Sequence, residues 1–400
     1  MKLLVVMGAF PFPPKAGCTI IAYNNIRELS KHNSIHLLCR DVARDPEGLS
    51  QYVDQIEFVV PEKIPRFVQL CRYVYYMIQG VPSSITACKS REMERRVAML
   101  IEHYEFDAIL LYETTMIQYC PPSYYSKVIV NVEDPLSIKL SRLNRLPIWT
   151  FWKNVRLLLH ARLMKRFEDK YFPRLAKVLL LSEVDKQDMR ESGGYDNLGC
   201  VTYGVHAPCK EMIVRYEERT PGTIIYSGNM FHPPNVDGAL FFLRKIFPLI
   251  LIQYPAVTLW IVGAEPDRRI RSAAARFGAH VVITGRVDDL SKYLKKAIVS
   301  ICPVRLRIGV QTKVLEALSW ATPVVTTSAG NSGIGGLSGR DLWIADTVDV
   351  FASRVVALLR GEGWQGLSEQ GRKLVETRFS WERSAEELEQ HLADLQTAHI

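Results

Sequence analysis

The chain has 400 residues, is 48% hydrophobic and 23% charged, and carries a formal net charge of +8. That composition is ordinary for a globular protein of two or three domains and excludes a disordered or low-complexity chain. No apolar run reaches the ~18 residues of a membrane span. The eight cysteines are scattered without a CxxC pair, so buried, reduced thiols in a cytosolic protein are the expectation, and no HExxH or paired-histidine spacing marks a metal.

The opening "MKLLVVMGAF" has the outline of a signal peptide. Its apolar run is short, however, and passes into "PFPPKAG" without a small-residue cleavage site, so a buried first strand is expected. Apolar runs then alternate with helical patterns: "TIIAYNNIRELSKH", "SIHLLCR", "FDAILLYE" at 106–113, "KVIVNVED" at 127–134 and "KVLLLSEVD" at 177–185. Buried runs rich in Val, Ile and Leu between helices predict a parallel sheet covered on both faces. The second half repeats the design with "GTIIYSG", "VTLWIVGAE", "HVVITGRV", "IVSICP" and "TPVVTTS". The fold class is therefore α/β, with two Rossmann-like doubly wound domains. The glycine-rich, aperiodic stretch at 192–211 sets the boundary, giving an N-terminal domain at 1–203, a C-terminal domain at 204–379 and a last helix at 380–400 headed by Ser380. Ligands bind outside the carboxyl ends of such strands, which makes the cleft between the two domains the default site.

The net charge is concentrated. Residues 138–177 hold eleven Lys and Arg against two acids, a local +9, with Trp149, Phe151 and Trp152 beside "VRLLLHARLMKRF". Cationic helices with interfacial aromatics suit an anionic membrane surface. A helix with one core face and one solvated basic face has the same composition. No nucleic-acid module accompanies the charge.

One stretch carries the chemistry: "PVRLRIGVQTKVLEALSWATPVVTT", Pro303 to Thr327. A buried strand ends at Pro303, an irregular basic loop follows, and a helix is predicted from Thr312 as N-cap. Free N–H groups at Lys313, Val314 and Leu315, with the helix dipole, make a phosphate site. Gly309 permits close approach of a ligand, Arg305, Arg307 and Lys313 add positive charge, and Glu316 stands where a carboxylate can accept bonds from a ribose diol. A nucleotide diphosphate satisfies every element.

This stretch resembles the donor-site motif of retaining glycosyltransferases of the GT-B fold, family 4 and its relatives. Pro303, Gly309, Lys313, Glu316, Ala317, Pro323, Val324, Val325 and Thr327 fall in register with it. "YSGNMFHPPNVDGALFFLRKIFPLI", "LWIVGAEP" and "VITGRVDDLSKYLKKA" resemble the family's donor domain, and "PFPPKAGCTIIAYNNIRELSKH" its first loop and helix. "FSWERSAEELEQHL" resembles the final helix, which in the family crosses back to the first domain. The chain departs from the pattern in three places. Ile308 stands where many members have the first glutamate of E-x7-E, and a branch of the family has glycine there. Asn229 follows Gly228, with Pro234 or Asn235 in place of the usual lysine, and His206 replaces the linker aspartate. The diphosphate charge then falls to Arg305, Arg307, Lys313 or Lys15, with helix N–H groups.

In the first domain the resemblance turns the loop with Gly17 towards the donor phosphates or the transferred sugar. Glu113 and the pair Glu133 and Asp134 stand at strand ends, where they would contact acceptor hydroxyls or remove a proton; helix caps are the plainer role for such carboxylates. The resemblance implies transfer of a sugar from a nucleotide-diphosphate donor to a glycan or lipid-linked hydroxyl acceptor. It also implies retention and a nucleotide sugar as co-substrate. Fixed cations and N–H groups leave no need for a metal or further cofactor, the cysteines suit the cytoplasmic side, and the composition of 138–177 suits a peripheral place on the membrane. Front-face displacement fits the lack of a nucleophile. Two alternatives share the architecture: a nucleotide-sugar 2-epimerase, and an inactive subunit that binds a partner enzyme or membrane.

Overall fold

The computed structural model describes residues 1–14, 17–41, 48–62 and 64–397. The chain divides into two compact units: residues 1–141, 152–204 and 381–400 form one, and 142–151 with 205–380 form the other.

The N-terminal unit is built on seven strands in the order β3-β2-β1-β4-β5-β6-β7. They are β1 (Lys2–Met7), β2 (Ser34–Cys39), β3 (Gln55–Phe58), β4 (Ala108–Tyr112), β5 (Val128–Val132), β6 (Lys177–Leu180) and β7 (Leu198–Cys200). Every pairing is parallel. β4 and β5 bury all five of their residues, as strands covered by helices on both faces must. The edge strands β3 and β7 escape the hydrophobic pattern because they are short and partly polar; β7 lies inside the stretch read as an aperiodic boundary. The closing helix Trp381–Thr397 belongs to this unit. Ser384 donates to Asn25 at 3.2 Å, Glu387 accepts from the Thr202 amide at 2.7 Å, and the Trp381 ring lies 5.3 Å from that of Tyr203.

The C-terminal unit has six parallel strands in the order β10-β9-β8-β11-β12-β13: β8 (Thr223–Ser227), β9 (Thr258–Val262), β10 (Val281–Gly285), β11 (Val299–Cys302), β12 (Val324–Thr326) and β13 (Trp343–Ile344). Its core joins these strands to Phe242, Phe247, Phe351 and Trp364 from the covering helices. In both sheets the strand order reverses once, between β1 and β4 and between β8 and β11. Those reversals open a crevice at the carboxyl ends, the usual ligand position of this architecture.

Residues 142–151 pack with the C-terminal unit although they lie in the N-terminal half of the sequence. Leu143 and Leu146 bury against Ile308, with Ile148, Trp149 and Leu306 around them. Arg142 donates to the Arg307 carbonyl at 3.0 Å, and Arg269 to that of Ile148 at 3.3 Å.

Candidate functional site

In the C-terminal unit the crevice between β8 and β11 holds a buried cation. Lys313 lies in the first turn of the helix Thr312–Ser319 and is 7% exposed. Its ammonium donates to Asn235 Oδ1 at 2.7 Å and to Gln311 Oε1 at 3.1 Å, 5.7 Å from the centre of the Tyr226 ring. Desolvation lowers its pKa, opposed by Cys302 and Glu316. Asn235 is fixed in turn. It stands in the first turn of the helix Pro233–Phe241, and its amide donates to the Asn229 carbonyl at 2.9 Å. Gly228, at the end of β8, has φ +136°, and a Cβ there would stand 3.0 Å from Lys313 Cε. Only glycine leaves the lysine its channel.

Glu316, one turn further, is partly buried. Burial pushes its carboxyl up to about 7, with Lys313 opposing. Among the described residues, no hydrogen bond or ion pair within the protein engages that carboxylate.

The other residues expected at the donor site divide. Arg305 makes a bidentate pair with the buried Asp237, Nε at 2.9 Å and Nη2 at 2.6 Å, and lies over the Phe241 ring. Its charge is balanced inside the protein, and Asp237, which the sequence reading omitted, explains why. Arg307 is exposed, its carbonyl held by Arg142. Gly309 is buried at φ +51°, and Asn229 is exposed, its side chain accepting from the Phe231 amide at 3.3 Å. The helix is capped by Gln311, not by Thr312, and the Val314 amide already donates to the Gln311 carbonyl at 2.9 Å. Val314 and Leu315 are buried apolar side chains. Ile308 occupies its position because the loop seals an apolar cluster against 142–151.

The N-terminal unit gathers three carboxylates around β1, β4 and β5. Glu113, just past β4, has φ +77°, a conformation rare for a side chain of this size. It accepts from Cys18 Sγ and Thr115 Oγ1, each at 3.2 Å. Glu133, just past β5, faces Gly17: a Cβ on that glycine would stand 2.9 Å from Glu133 Oε1, which is buried and, among the described residues, has no hydrogen-bond partner. Burial, then the charges of Asp134 and Glu113, push the Glu133 carboxyl up to about 7 against Lys139. Asp134 is paired with Lys139 at 2.6 Å. Cys18 is driven up by burial and by both glutamates, so it stays a thiol and donates. Lys15, the other cation expected at this loop, lies outside the described residues. Asn235, Asp237 and Cys18 escaped the sequence reading as partners because each acts through a neighbour distant in the chain; Gln311, two residues before Lys313, carried a local signal that was passed over.

Residues 221–361 match the family model of Glycosyl transferases group 1. A curated relative is an uncharacterized 44.6 kDa protein in the cps region of Klebsiella pneumoniae, 27% identical over 139 residues, 33% of this chain. The chain spans 36% of that relative's length in the match. Solved structures align over the whole chain. Sucrose-phosphate synthase from Thermosynechococcus elongatus matches at 13% identity and a TM-score of 0.72, with 100% of both chains covered. Anabaena HepE in complex with UDP matches at 12% and 0.67, covering 98% of this chain and 100% of its own. WaaG, a glycosyltransferase involved in lipopolysaccharide biosynthesis, matches at 13% and 0.63, covering 99% of each. The protein thus has the fold of the GT-B glycosyltransferases. Within its C-terminal unit, residues 221–361 resemble a Glycosyl transferases group 1 domain.

Proposed function

We propose that the protein transfers a sugar from a nucleotide-diphosphate sugar to a hydroxyl of a glycan or lipid-linked acceptor in cell-surface glycan synthesis, with retention at the anomeric carbon. The observation that carries this reading is the buried Lys313, held by Asn235 and Gln311 at the carboxyl end of the sheet and followed one turn later by Glu316, whose carboxylate has no partner among the described residues. A fixed, desolvated cation beside a helix N-terminus attracts a diphosphate and stabilises it as it leaves. A carboxylate without a protein partner can accept from the ribose diol. In the N-terminal unit, Glu133 has the position and raised pKa of a group that receives the acceptor's proton. In front-face displacement the bond from the anomeric carbon to the phosphate oxygen breaks as the bond to the acceptor oxygen forms on the same face. In the basic segment, the helix Phe151–Tyr171 carries Phe151 and Trp152 at 71% and 78% exposure, which supports a membrane-facing role. Trp149 lies with the Ile308 cluster, its indole donating to the Leu143 carbonyl at 2.8 Å.

The test is thermal unfolding with UDP, GDP, ADP and TDP and their sugars. A ligand at 100 times its Kd adds about 2.7 kcal/mol to the folded state. Glu316→Ala weakens the stabilising nucleotide by about 1–3 kcal/mol, the range for a charged hydrogen-bond partner, with an unchanged circular dichroism spectrum. A folded variant with unaltered affinity removes Glu316 from the site, and stabilisation by none of these nucleotides removes the reading.

A further inference from the structure

A groove of ≈ 590 Å³ lies in the C-terminal unit, with the helix Arg268–Ala274 and its following turn on one side and residues 242–253 on the other. Its walls carry the guanidinium groups of Arg244, Arg268, Arg269 and Arg276, and no carboxylate is among the lining residues. None of those residues belongs to the crevice between β8 and β11.

The sequence builds the two walls separately. On one, Arg268, Ser272 and Arg276 stand four residues apart, a spacing that keeps side chains on one helix face. On the other, Pro248 has no N–H for the Arg244 carbonyl four residues before it. The chain widens there into a π turn over Phe242–Ile246, with Arg244 at its centre. The floor is apolar. Leu243 and Ala273 belong to the core of the unit, and the Phe277 ring packs 5.0 Å from that of Phe247. Close packing of this kind holds the stems of the arginines at fixed positions.

Four like charges in one groove repel, and the fold relieves only one of them. Arg269 pairs with Asp267 through Nε and Nη2, each at 2.9 Å, and its Nη1 donates to the Ile148 carbonyl at 3.3 Å. Arg244, Arg268 and Arg276 are exposed, and among the described residues no ion pair or hydrogen bond engages them. Arg268 also stands in the first turn of its helix, where the backbone dipole opposes a cation. Charge in this arrangement therefore costs the fold stability and is compensated only by an anion from outside.

We propose that the groove binds a small organic anion carrying two phosphate groups, held by Arg244, Arg268 and Arg276 with the Ser272 hydroxyl as a further donor. Guanidinium forks meet phosphate two hydrogen bonds at a time. Arg268 and Arg276 are about 12 Å apart along a helix axis, a span suited to separated phosphates rather than to one. Two phosphates bring about three to four negative charges against three free cations, and the organic body between them lies on Leu243, Pro248 and Phe277. The volume is that of a small-molecule site. This site goes beyond the sugar-transfer reading and stands without it.

The experiment is calorimetric titration of the full chain at low salt with fructose bisphosphate, fructose monophosphate and fructose. Wild type binds the bisphosphate, binds the monophosphate about tenfold more weakly for the lost charged contact, and does not bind fructose. Arg268→Ser with Arg276→Ser lowers bisphosphate affinity about 10–100-fold, the loss of two charged contacts made by exposed groups. Arg244→Ser, on the opposite wall, lowers it about tenfold by itself. Lys313→Ala, in the crevice, leaves it unchanged. All three arginines are exposed, and unchanged thermal unfolding of the variants without ligand excludes misfolding as the cause. Failure of wild type to bind the bisphosphate at millimolar concentration overturns the proposal, as does wild-type affinity in the Arg268 and Arg276 double variant. Equal affinity for monophosphate and bisphosphate overturns it in favour of a single-anion site. A loss of affinity with Lys313→Ala as large as with the double variant overturns it in favour of the crevice.

Discussion

The Lys313 ammonium lies 2.7 Å from Asn235 Oδ1, across 78 residues of sequence and from one helix start to another. The contact fixes a charge that would otherwise swing on a four-carbon stem, and burial removes the water that would screen it. Lys313→Ala is therefore expected to weaken binding of the nucleoside diphosphate far more than that of the bare nucleoside, by about 1.5–3 kcal/mol for a lost charged hydrogen bond. Asn235→Ala, which leaves the charge but frees it, gives a smaller loss of the same kind. Calorimetric titration with both ligands checks this, and equal losses for nucleoside and diphosphate contradict a phosphate role.

Arg305 behaves differently because its partner lies within the protein. Asp237 is 3% exposed and its two oxygens are met by the guanidinium, so Arg305→Ala leaves a buried carboxylate unpaired. Stability falls by about 2–3 kcal/mol, under the range for fully buried pairs because the guanidinium is partly in water. Arg305→Ala combined with Asp237→Ala recovers part of that loss. Diphosphate affinity changes less than with Lys313→Ala. Denaturant unfolding and titration on the three proteins test both statements.

The sequence disclosed the two-sheet plan because buried parallel strands are nearly continuous apolar runs, and β1, β4, β5 and β8 read directly as such. It singled out the loop proposed here for the donor because Lys313 and Glu316 lie three residues apart on one helix, a local relationship. It was silent on pairings that the fold makes over distance. Arg305 reads as a free cation until Asp237, 68 residues away, closes on it. Trp149 and Phe151 read alike, yet one packs beside Ile308 and the other is 71% exposed. The helix Arg66–Ile78 has an ordinary amphipathic pattern, and periodicity carries no information on which face meets the protein.

Glu168 offers a test by pH. It is fully buried in the helix Phe151–Tyr171 and accepts from the Ser137 amide at 3.1 Å, with the Ser137 hydroxyl on its other oxygen. Burial pushes its pKa from 4.5 up to about 7, and the Ser137 bonds oppose this. In that interval the unfolded chain has lost a proton that the folded chain keeps, so stability falls as pH rises. The contribution is complete below 4.5 and is lost by about 7, with a slope of at most about 1.4 kcal/mol per pH unit. Glu168→Gln mimics the protonated form and is expected to remove that share of the slope. Thermal unfolding of both proteins between about pH 5 and 7 decides it; parallel pH profiles would show that Glu168 is ionised in the fold.

Glu133 is the candidate for the proton of the acceptor hydroxyl. Its Oε1 is buried without a hydrogen-bond partner among the described residues, its neighbour Gly17 has no side chain to cover it, and Asp134 already holds Lys139. A base must be ionised to act, and burial with two nearby carboxylates pushes this one up to about 7. With a donor and acceptor that support turnover, kcat/KM is expected to rise with pH through an inflection near 7. Glu133→Gln keeps the shape and removes the base, so kcat falls by about 10²–10⁴, the usual range for general base catalysis. The inflection disappears from the residual rate, and nucleoside diphosphate affinity is unchanged because Lys313 and Glu316, the proposed donor contacts, are left intact. Gly17→Ala, whose Cβ would meet the same carboxylate at 2.9 Å, lowers kcat by displacing it. A Glu133→Gln enzyme that keeps both its rate and its pH profile would move the role of base to Glu113, whose partners Cys18 and Thr115 both donate to it.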